Sequence, residues 1–249
     1  MILLSSIWVW QQWPDGKLHV VFCDVGQGDG TLVVLGSFQA LVDTGPSEEK
    51  LFACLGKNMP FWDRRIDLVF LSHSDNDHVG ALSGLEKRYI VGKVIDKPRS
   101  DDIFRYGNLV FDILKGSDPV VNSVMEGGSA TNEQSVVMET LYDKFSVLFT
   151  GDIDISSELA MVDSGVLRLS SVLKVSHHGS KYGSSIEFLN KVRPALAVIS
   201  VGTNNTYGHP NGDTLIRLDG VGAKLLRTDK MGTVSVVSDG VGMKVFSER

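Results

Sequence analysis

The run Ser72-His73-Ser74-Asp75-Asn76-Asp77-His78-Val79-Gly80 constrains this chain more than any other segment. It follows the apolar stretch Leu68-Val69-Phe70-Leu71, so a strand ends and a helix begins where four potential metal ligands, His73, Asp75, Asp77 and His78, fall within six positions. At such a junction irregular backbone can aim several side chains at one point. Aspartate and serine also cap helices, and capping accounts for one carboxylate here. It leaves two histidines and a second aspartate unexplained, and their type and close spacing point to a metal.

Three further segments share one grammar, an apolar strand ending in an ionisable residue beside glycine. They are Leu41-Val42-Asp43-Thr44-Gly45, Val147-Leu148-Phe149-Thr150-Gly151-Asp152 and Val172-Leu173-Lys174-Val175-Ser176-His177-His178-Gly179. An aspartate after a strand is more often a turn residue than a ligand. In combination the segments are expected to deliver carboxylates and imidazoles to one edge of a sheet, where α/β proteins place their sites. Short β-branched runs from Leu18 onward read as strands, with helical windows at Val79 to Arg88, Ser156 to Val162, Ser185 to Val192 and Thr214 to Leu218. The last stretch, Lys224 to Val245, alternates as an antiparallel ribbon would. No long Pro- or Ser-rich linker and no repeat divides the chain, and Gly116 to Gln134, rich in Gly, Ser and Asn, is its best candidate loop.

Charge and cysteine content limit the function classes. The 249 residues carry a formal charge of -6, so no global basic field draws in a polyanion, and a nucleic-acid partner must be held locally. Cys23 lies in His19-Val20-Val21-Phe22-Cys23 and Cys54 in Leu51-Phe52-Ala53-Cys54-Leu55. Both read as buried small hydrophobes, with a disulfide or ligand role as the alternative. The apolar start, Met1 to Trp10, is too short to span a bilayer and lacks the basic region of a signal peptide. Trp8, Trp10 and Trp13 suit an interfacial belt, a strand or a docking tail.

With these residues in place, the chain resembles the metallo-β-lactamase superfamily, whose His-x-His-x-Asp-His motif is similar to His73-x-Asp75-x-Asp77-His78 with the second histidine replaced. A narrower resemblance is to the extracytoplasmic metallo-β-lactamase-like domain of the ComEC DNA-uptake channel and its stand-alone relatives. It rests on Asp24-Val25-Gly26-Gln27-Gly28-Asp29-Gly30, the His-x-Asp-x-Asp-His form, Leu148-Phe149-Thr150-Gly151-Asp152-Ile153, Leu173-Lys174-Val175-Ser176-His177-His178-Gly179-Ser180 and Tyr207-Gly208-His209-Pro210. The resemblance implies an α/β fold, a four-layer αββα sandwich, over 18–249. Residues 1–17 would be a tail or the junction with a membrane domain.

It also implies a dinuclear site and a division of labour within it. One ion would be held by His73, Asp75 and Asp152, with Asn132 a weak oxygen donor. The other would be held by Asp77, His78, His177 and the shared Asp152. Oxygen-rich donors let manganese or magnesium compete with zinc. Two divalent ions roughly 3.5 to 4 Å apart ionise a bridging water near neutral pH and clamp the attacking and leaving oxygens of a phosphodiester. Asp77 is counted among the catalytic residues as well as the ligands. Asp43 and Asp29 are expected to orient ligands and Gln27 to lie near substrate, although Gly26, Gly28 and Gly30 also suit a plain tight turn.

For the leaving group the sequence offers His209 first, then His178 and Lys181, and Tyr182 and Tyr207 could stack bases. The expected activity is a metal-dependent phosphodiesterase acting on single- or double-stranded DNA, in association with a ComEC-type channel. The alternatives are hydrolysis of a small phosphoester, lactone or thioester, and a degraded domain that serves as an interaction module. An extracytoplasmic position follows from the channel reading, and a cytoplasmic one from a stand-alone hydrolase.

Overall fold

The β-branched runs closed by glycine or aspartate become two seven-stranded mixed sheets in a computed structural model that describes residues 14–117 and 134–249. The first half of the chain supplies β1 (Leu18–Phe22), β2 (Gly30–Leu35), β3 (Phe38–Thr44), α1 (Glu48–Asn58), β4 (Arg65–Phe70), α2 (Asn76–Val79), α3 (Leu82–Arg88) and β5 (Ile90–Ile95). The second supplies β6 (Ile103–Tyr106), β7 (Leu109–Lys115), β8 (Val137–Tyr142), β9 (Phe145–Phe149), α4 (Ile155–Ser164), β10 (Val172–Lys174), α5 (Ile186–Val192), β11 (Leu196–Ile199), α6 (Gly212–Gly220) and β12 (Lys224–Arg227). A turn of helix, α7 (Thr228–Met231), then returns the chain to the first sheet as β13 (Val234–Ser238) and β14 (Met243–Ser247). The strand orders are β14-β13-β1-β2-β3-β4-β5 and β12-β11-β10-β9-β8-β7-β6.

Side-chain alternation sorts the apolar residues into three layers. Leu18, Val20 and Phe22 point from β1 into the layer between the sheets, with Phe70, Phe111, Phe145 and Phe149. Val21 and Cys23, on the opposite face, meet Leu51, Leu55 and Leu85 of α1 and α3. On the second sheet Leu148, Leu173 and Ile199 face Met161, Phe188, Leu189 and Leu218 of α4, α5 and α6. Both faces of each sheet are therefore covered, which is why the central strands read as continuous apolar runs. The result is the expected αββα sandwich.

The structure departs from the sequence reading in four places. Helix α1 was hidden by its short apolar core; Ser47 caps it by accepting from Lys50 N at 3.3 Å, and Leu51, Cys54 and Leu55 form its buried stripe. The window Val79 to Arg88 is not one helix, because Ala81 N donates to Gly45 O at 2.9 Å and leaves the helical ladder between α2 and α3. The ribbon expected over Lys224 to Val245 is split, with β12 parallel to β11 in the second sheet and only β13 and β14 pairing as a hairpin on the first. Finally, Cys23 and Cys54 are buried as expected but are not separate thiols: the end of β1 and the inner face of α1 bring their Cα atoms to 5.8 Å, and they form a disulfide.

Most of the loop Gly116 to Gln134, including Asn132, lies outside the described residues, as do Trp8, Trp10 and Trp13.

Candidate metal centre

The carboxyl ends of β3, β4, β9, β10 and β11 meet at one edge of the sandwich, and each delivers a polar residue there. Asp43, the penultimate residue of β3, has a left-handed backbone, φ 59°, that turns its carboxylate under the loop after β4. Its Oδ1 accepts from Ser72 N at 2.8 Å, and its Oδ2 accepts from Ser72 Oγ at 2.8 Å and His78 Nδ1 at 2.9 Å. Ser72 Oγ also lies 3.0 Å from His73 Nδ1. The assignment that satisfies all of these donates Nδ1–H of His78 to Asp43, and Nδ1–H of His73 to a serine hydroxyl that itself donates to Asp43. Both imidazoles then aim an Nε2 lone pair into the centre.

The second sheet supplies the opposite wall. Thr150 Oγ1 donates to Lys174 O at 2.7 Å and Asp152 N donates to Ser135 Oγ at 3.2 Å, which fixes the turn that carries Asp152. Asp152 Oδ1 is 3.3 Å from His78 Nε2, while its Oδ2 is 3.6 Å from His178 Nε2 and 3.8 Å from His177 Nε2. His177 and His178 sit on a 3-10 turn, Ser176–Gly179, with φ of 49° and 53°. That left-handed pair sends the two rings in different directions. His178 is buried, donates Nδ1–H to Ser200 O at 2.9 Å and directs Nε2 to Asp77 Oδ2 at 3.2 Å. His177 stays at the rim, partly exposed.

Ligand atoms of Asp77, His78, Asp152 and His178 lie within 4.8 Å of one another. His73 adds a ring 4.1 Å from that of His78 and an Nε2 3.6 Å from Asp75 Oδ2. The buried Nε2 of His73, Nε2 of His78 and Oδ1 of Asp152 have no hydrogen-bond partner. Three orphaned lone-pair groups facing one space are costly unless a cation satisfies them, so the residues fit divalent metal.

Electrostatics agree with that fit. Burial opposes charge on His178, but the carboxylates of Asp152 and Asp29 outweigh it and push its pKa up to about 9. His78 is likewise raised, with burial outweighed by Asp152 and Asp43. Asp152 is held well below the usual carboxylate range, burial being overcome by His178 and His78. The raised basicity of both imidazoles and the lowered pKa of Asp152 reflect one surplus of buried negative charge, which a proton or a divalent cation at the same nitrogens would answer.

The centre opens into a cleft of about 390 Å³ whose walls include Gln27, His177, Tyr207 and His209. Gln27 Oε1 accepts from Gly202 N at 3.1 Å, tying the loop before β2 to the loop after β11. That loop approaches α2 so closely that a Cβ on Gly28 would stand 2.2 Å from Asp77 O, which only glycine permits. Tyr207 is exposed and stacks on His209 at 6.0 Å. Burial, then the neighbouring His177 and His178, depress His209 to about 4, so it is neutral at pH 7. Lys181 lies over the exposed Tyr182 ring at 4.9 Å and is not part of the cleft wall. A second cavity, about 300 Å³, opens on the far side of His73 and is bordered by Lys97.

Sequence reasoning gave Asp29 an orienting role but none to Lys174, Glu158 or Arg217, which also hold this centre. Asp29 Oδ2 receives Lys174 Nζ at 2.5 Å, a buried ion pair directly behind the histidines. Glu158, buried on α4, accepts from Ser176 Oγ at 3.1 Å, Ser184 N at 2.6 Å and Ser185 N at 2.7 Å. Arg217 of α6 donates to Ser184 O at 2.7 Å and Gly183 O at 2.8 Å. The turn carrying His177 and His178 is therefore gripped from both sides. The one available signal was a lone lysine inside the apolar strand Val172-Leu173-Lys174-Val175.

Sequence and fold comparisons place the chain among related proteins. The chain is 30% identical to the competence protein ComA of Neisseria gonorrhoeae, over 89% of this chain and 32% of that protein. It is 28% identical to the ComE operon protein 3 of Bacillus subtilis, over 88% of this chain and 33% of that protein. It therefore spans about a third of the length of these relatives. Among solved structures, the metallo-beta-lactamase fold protein YhfI of Bacillus subtilis superposes with a TM-score of 0.56 at 12% identity, covering 92% of this chain and all of that one. Residues 23–203, which hold every candidate ligand described above, match the metallo-beta-lactamase superfamily, and the chain belongs to that superfamily.

Proposed function

We propose that the chain is a metal-dependent phosphodiesterase acting on DNA, with His73, Asp75, Asp77, His78, Asp152 and His178 holding two divalent ions and His177 completing the donors on the cleft side. The observation that carries this reading is the row of buried, partnerless donors between two open cavities. A row open on both flanks suits an extended chain better than a closed pocket would. Asp152 would serve both ions, since its two oxygens face His78 and His178. Carboxylates share the donor set with imidazoles, which favours manganese alongside zinc, with magnesium third. The ions, when bound, would supply Lewis-acid charge to a phosphoryl oxygen and a nucleophile ionised near neutral pH.

The chain's own residues do the rest. His209, neutral in the free protein, donates a ring N–H to a phosphodiester oxygen. The negative charge of the bound phosphodiester raises the pKa of the ring, which takes up a proton from solvent and passes that proton to the leaving oxygen, returning to its neutral form. Tyr207, exposed and stacked on His209, offers a base a flat surface. Two dications would raise the formal charge from -6 to about -2, which lessens the electrostatic cost of approach by DNA. The competence relatives support a role in DNA uptake beside a membrane channel. The buried disulfide supports an oxidising, extracytoplasmic location.

A small phosphoester is the second reading, favoured by a sparse basic lining in which Lys97 borders one cavity and the ligand carboxylates line the other. The test is a panel of single- and double-stranded DNA, RNA and a chromogenic phosphodiester, incubated with the protein loaded with manganese, zinc or magnesium. DNA cleavage that is lost in Asp77→Ala and His78→Ala is expected. Intact DNA with the chromogenic substrate hydrolysed selects the small-substrate reading, and no hydrolysis of any substrate by metal-loaded protein overturns both.

A further inference from the structure

Between the sheets, directly behind the ligand row, lies a small chamber of about 20 Å³ with Asp29, Thr31, Asp43, Ser72 and Lys174 at its polar end and Val42, Phe70, Val136, Met138 and Phe149 closing the rest. That is room for one water, and the walls offer the two to four polar partners a buried water requires. Lys174 is almost fully buried on β10; its ammonium donates to Val175 O at 2.8 Å and pairs with Asp29 Oδ2 at 2.5 Å. An ammonium has three N–H donors, so one is left for the chamber. Asp29 Oδ1 makes no hydrogen bond and stands 3.4 Å from His178 Nδ1. Asp29 Oδ2 is also 3.9 Å from His78 Nδ1, whose direct partner is Asp43.

Two orienting carboxylates, both from the first sheet, thus share one chamber with a single cation from the second sheet. Without a cation, two buried carboxylates side by side would repel each other and compete for the imidazole N–H groups. We infer that Lys174 is a positioning residue, a fixed internal cation that with one buried water holds Asp29 and Asp43 in place, so that His78 and His178 present Nε2 to the metal as one frame across the two sheets. Lys174 reaches the reaction only through those side chains. The inference rests on the ligand assignment proposed above and not on the identity of the substrate.

Two variants test it, Lys174→Met, which keeps the length and removes the charge, and Asp29→Asn, which keeps the shape of the partner. Folding is checked by circular dichroism, and two readouts follow. The first is affinity for cobalt and manganese alone, followed by the cobalt absorption spectrum and by titration. The second is the ring-nitrogen NMR signals of the metal-free protein, in particular exchange protection of the His178 Nδ1–H bonded to Ser200 O.

Folded variants that bind about 10–100-fold more weakly, change the cobalt spectrum and lose that protection are expected, and Lys174→Met combined with Asp29→Asn should cost less than the two single losses together. Folded variants with unchanged affinity and unchanged ring signals overturn the inference. Failure of both single variants to fold also overturns it, since the pair would then serve the sandwich rather than the ligands. Wild-type protein that binds metal and leaves DNA intact removes the nuclease reading and leaves this inference standing.

Discussion

His78 Nδ1 lies 2.9 Å from Asp43 Oδ2, and this contact decides which ring nitrogen faces the centre. Asp43 accepts from Ser72 through both oxygens as well, so one carboxylate from β3 orients His78 directly and His73 through a hydroxyl. Asp43→Ala should lower divalent-metal affinity about 10–100-fold while the sandwich persists. Calorimetric titration with manganese or zinc checks this. Unchanged affinity would show that the rings are held by packing alone.

Metal binding should release protons. With His178 at about 9 and His78 also raised, both rings are protonated in the metal-free protein at pH 7. A metal must displace them, so uptake should release about two protons and affinity should climb steeply with pH up to about 9. Titration in buffers of different ionisation enthalpy counts the protons. The metal-free fold should show the opposite trend. A histidine raised from its free value of about 6.5 stabilises the fold fully below that pH, and the contribution is lost as pH rises through about 9. The Tm of chelator-treated protein should therefore fall between pH 6.5 and 9, and a flat profile would contradict the assignment.

The Cys23–Cys54 disulfide closes a separation of 31 residues. Loop-closure entropy puts its contribution at about 3–4 kcal/mol. For a domain of this size, reduction should lower Tm by roughly 6–16 °C. Scans with and without reductant test it, with Cys54→Ser as the control that should lose the reductant effect.

Arg217→Ala should loosen the turn that carries His177 and His178, because it frees the carbonyls of Gly183 and Ser184. The measurement is hydrogen exchange over 176–185, which should speed there while the core strands of both sheets stay protected. Leaving those acceptors unsatisfied costs about 1–3 kcal/mol. Exchange unchanged in that segment would show that Glu158 holds it alone.

What could be read in the sequence was local. His73, Asp75, Asp77, His78, Asp43 and Asp152 follow apolar runs, and the end of a strand is visible without knowing its neighbours. The ion pair of Lys174 with Asp29 and the grip of Glu158 and Arg217 were not visible, because each joins segments brought together only when the layers assemble. Which of His177 and His178 turns inward was equally hidden. Their rings part because both residues take a left-handed backbone, and neither residue type announces that conformation. Helix α1 was obscured for a different reason, since five apolar and small residues from Leu51 to Leu55 suit a buried strand as well as a helix.

The most direct test of the account is the number of divalent ions carried by each chain, measured by native mass spectrometry on protein equilibrated with manganese or zinc, beside Asp152→Ala. The account predicts two ions in the wild-type chain and loss of at least one when the shared carboxylate is removed. A folded wild-type chain that carries none with either metal would contradict it.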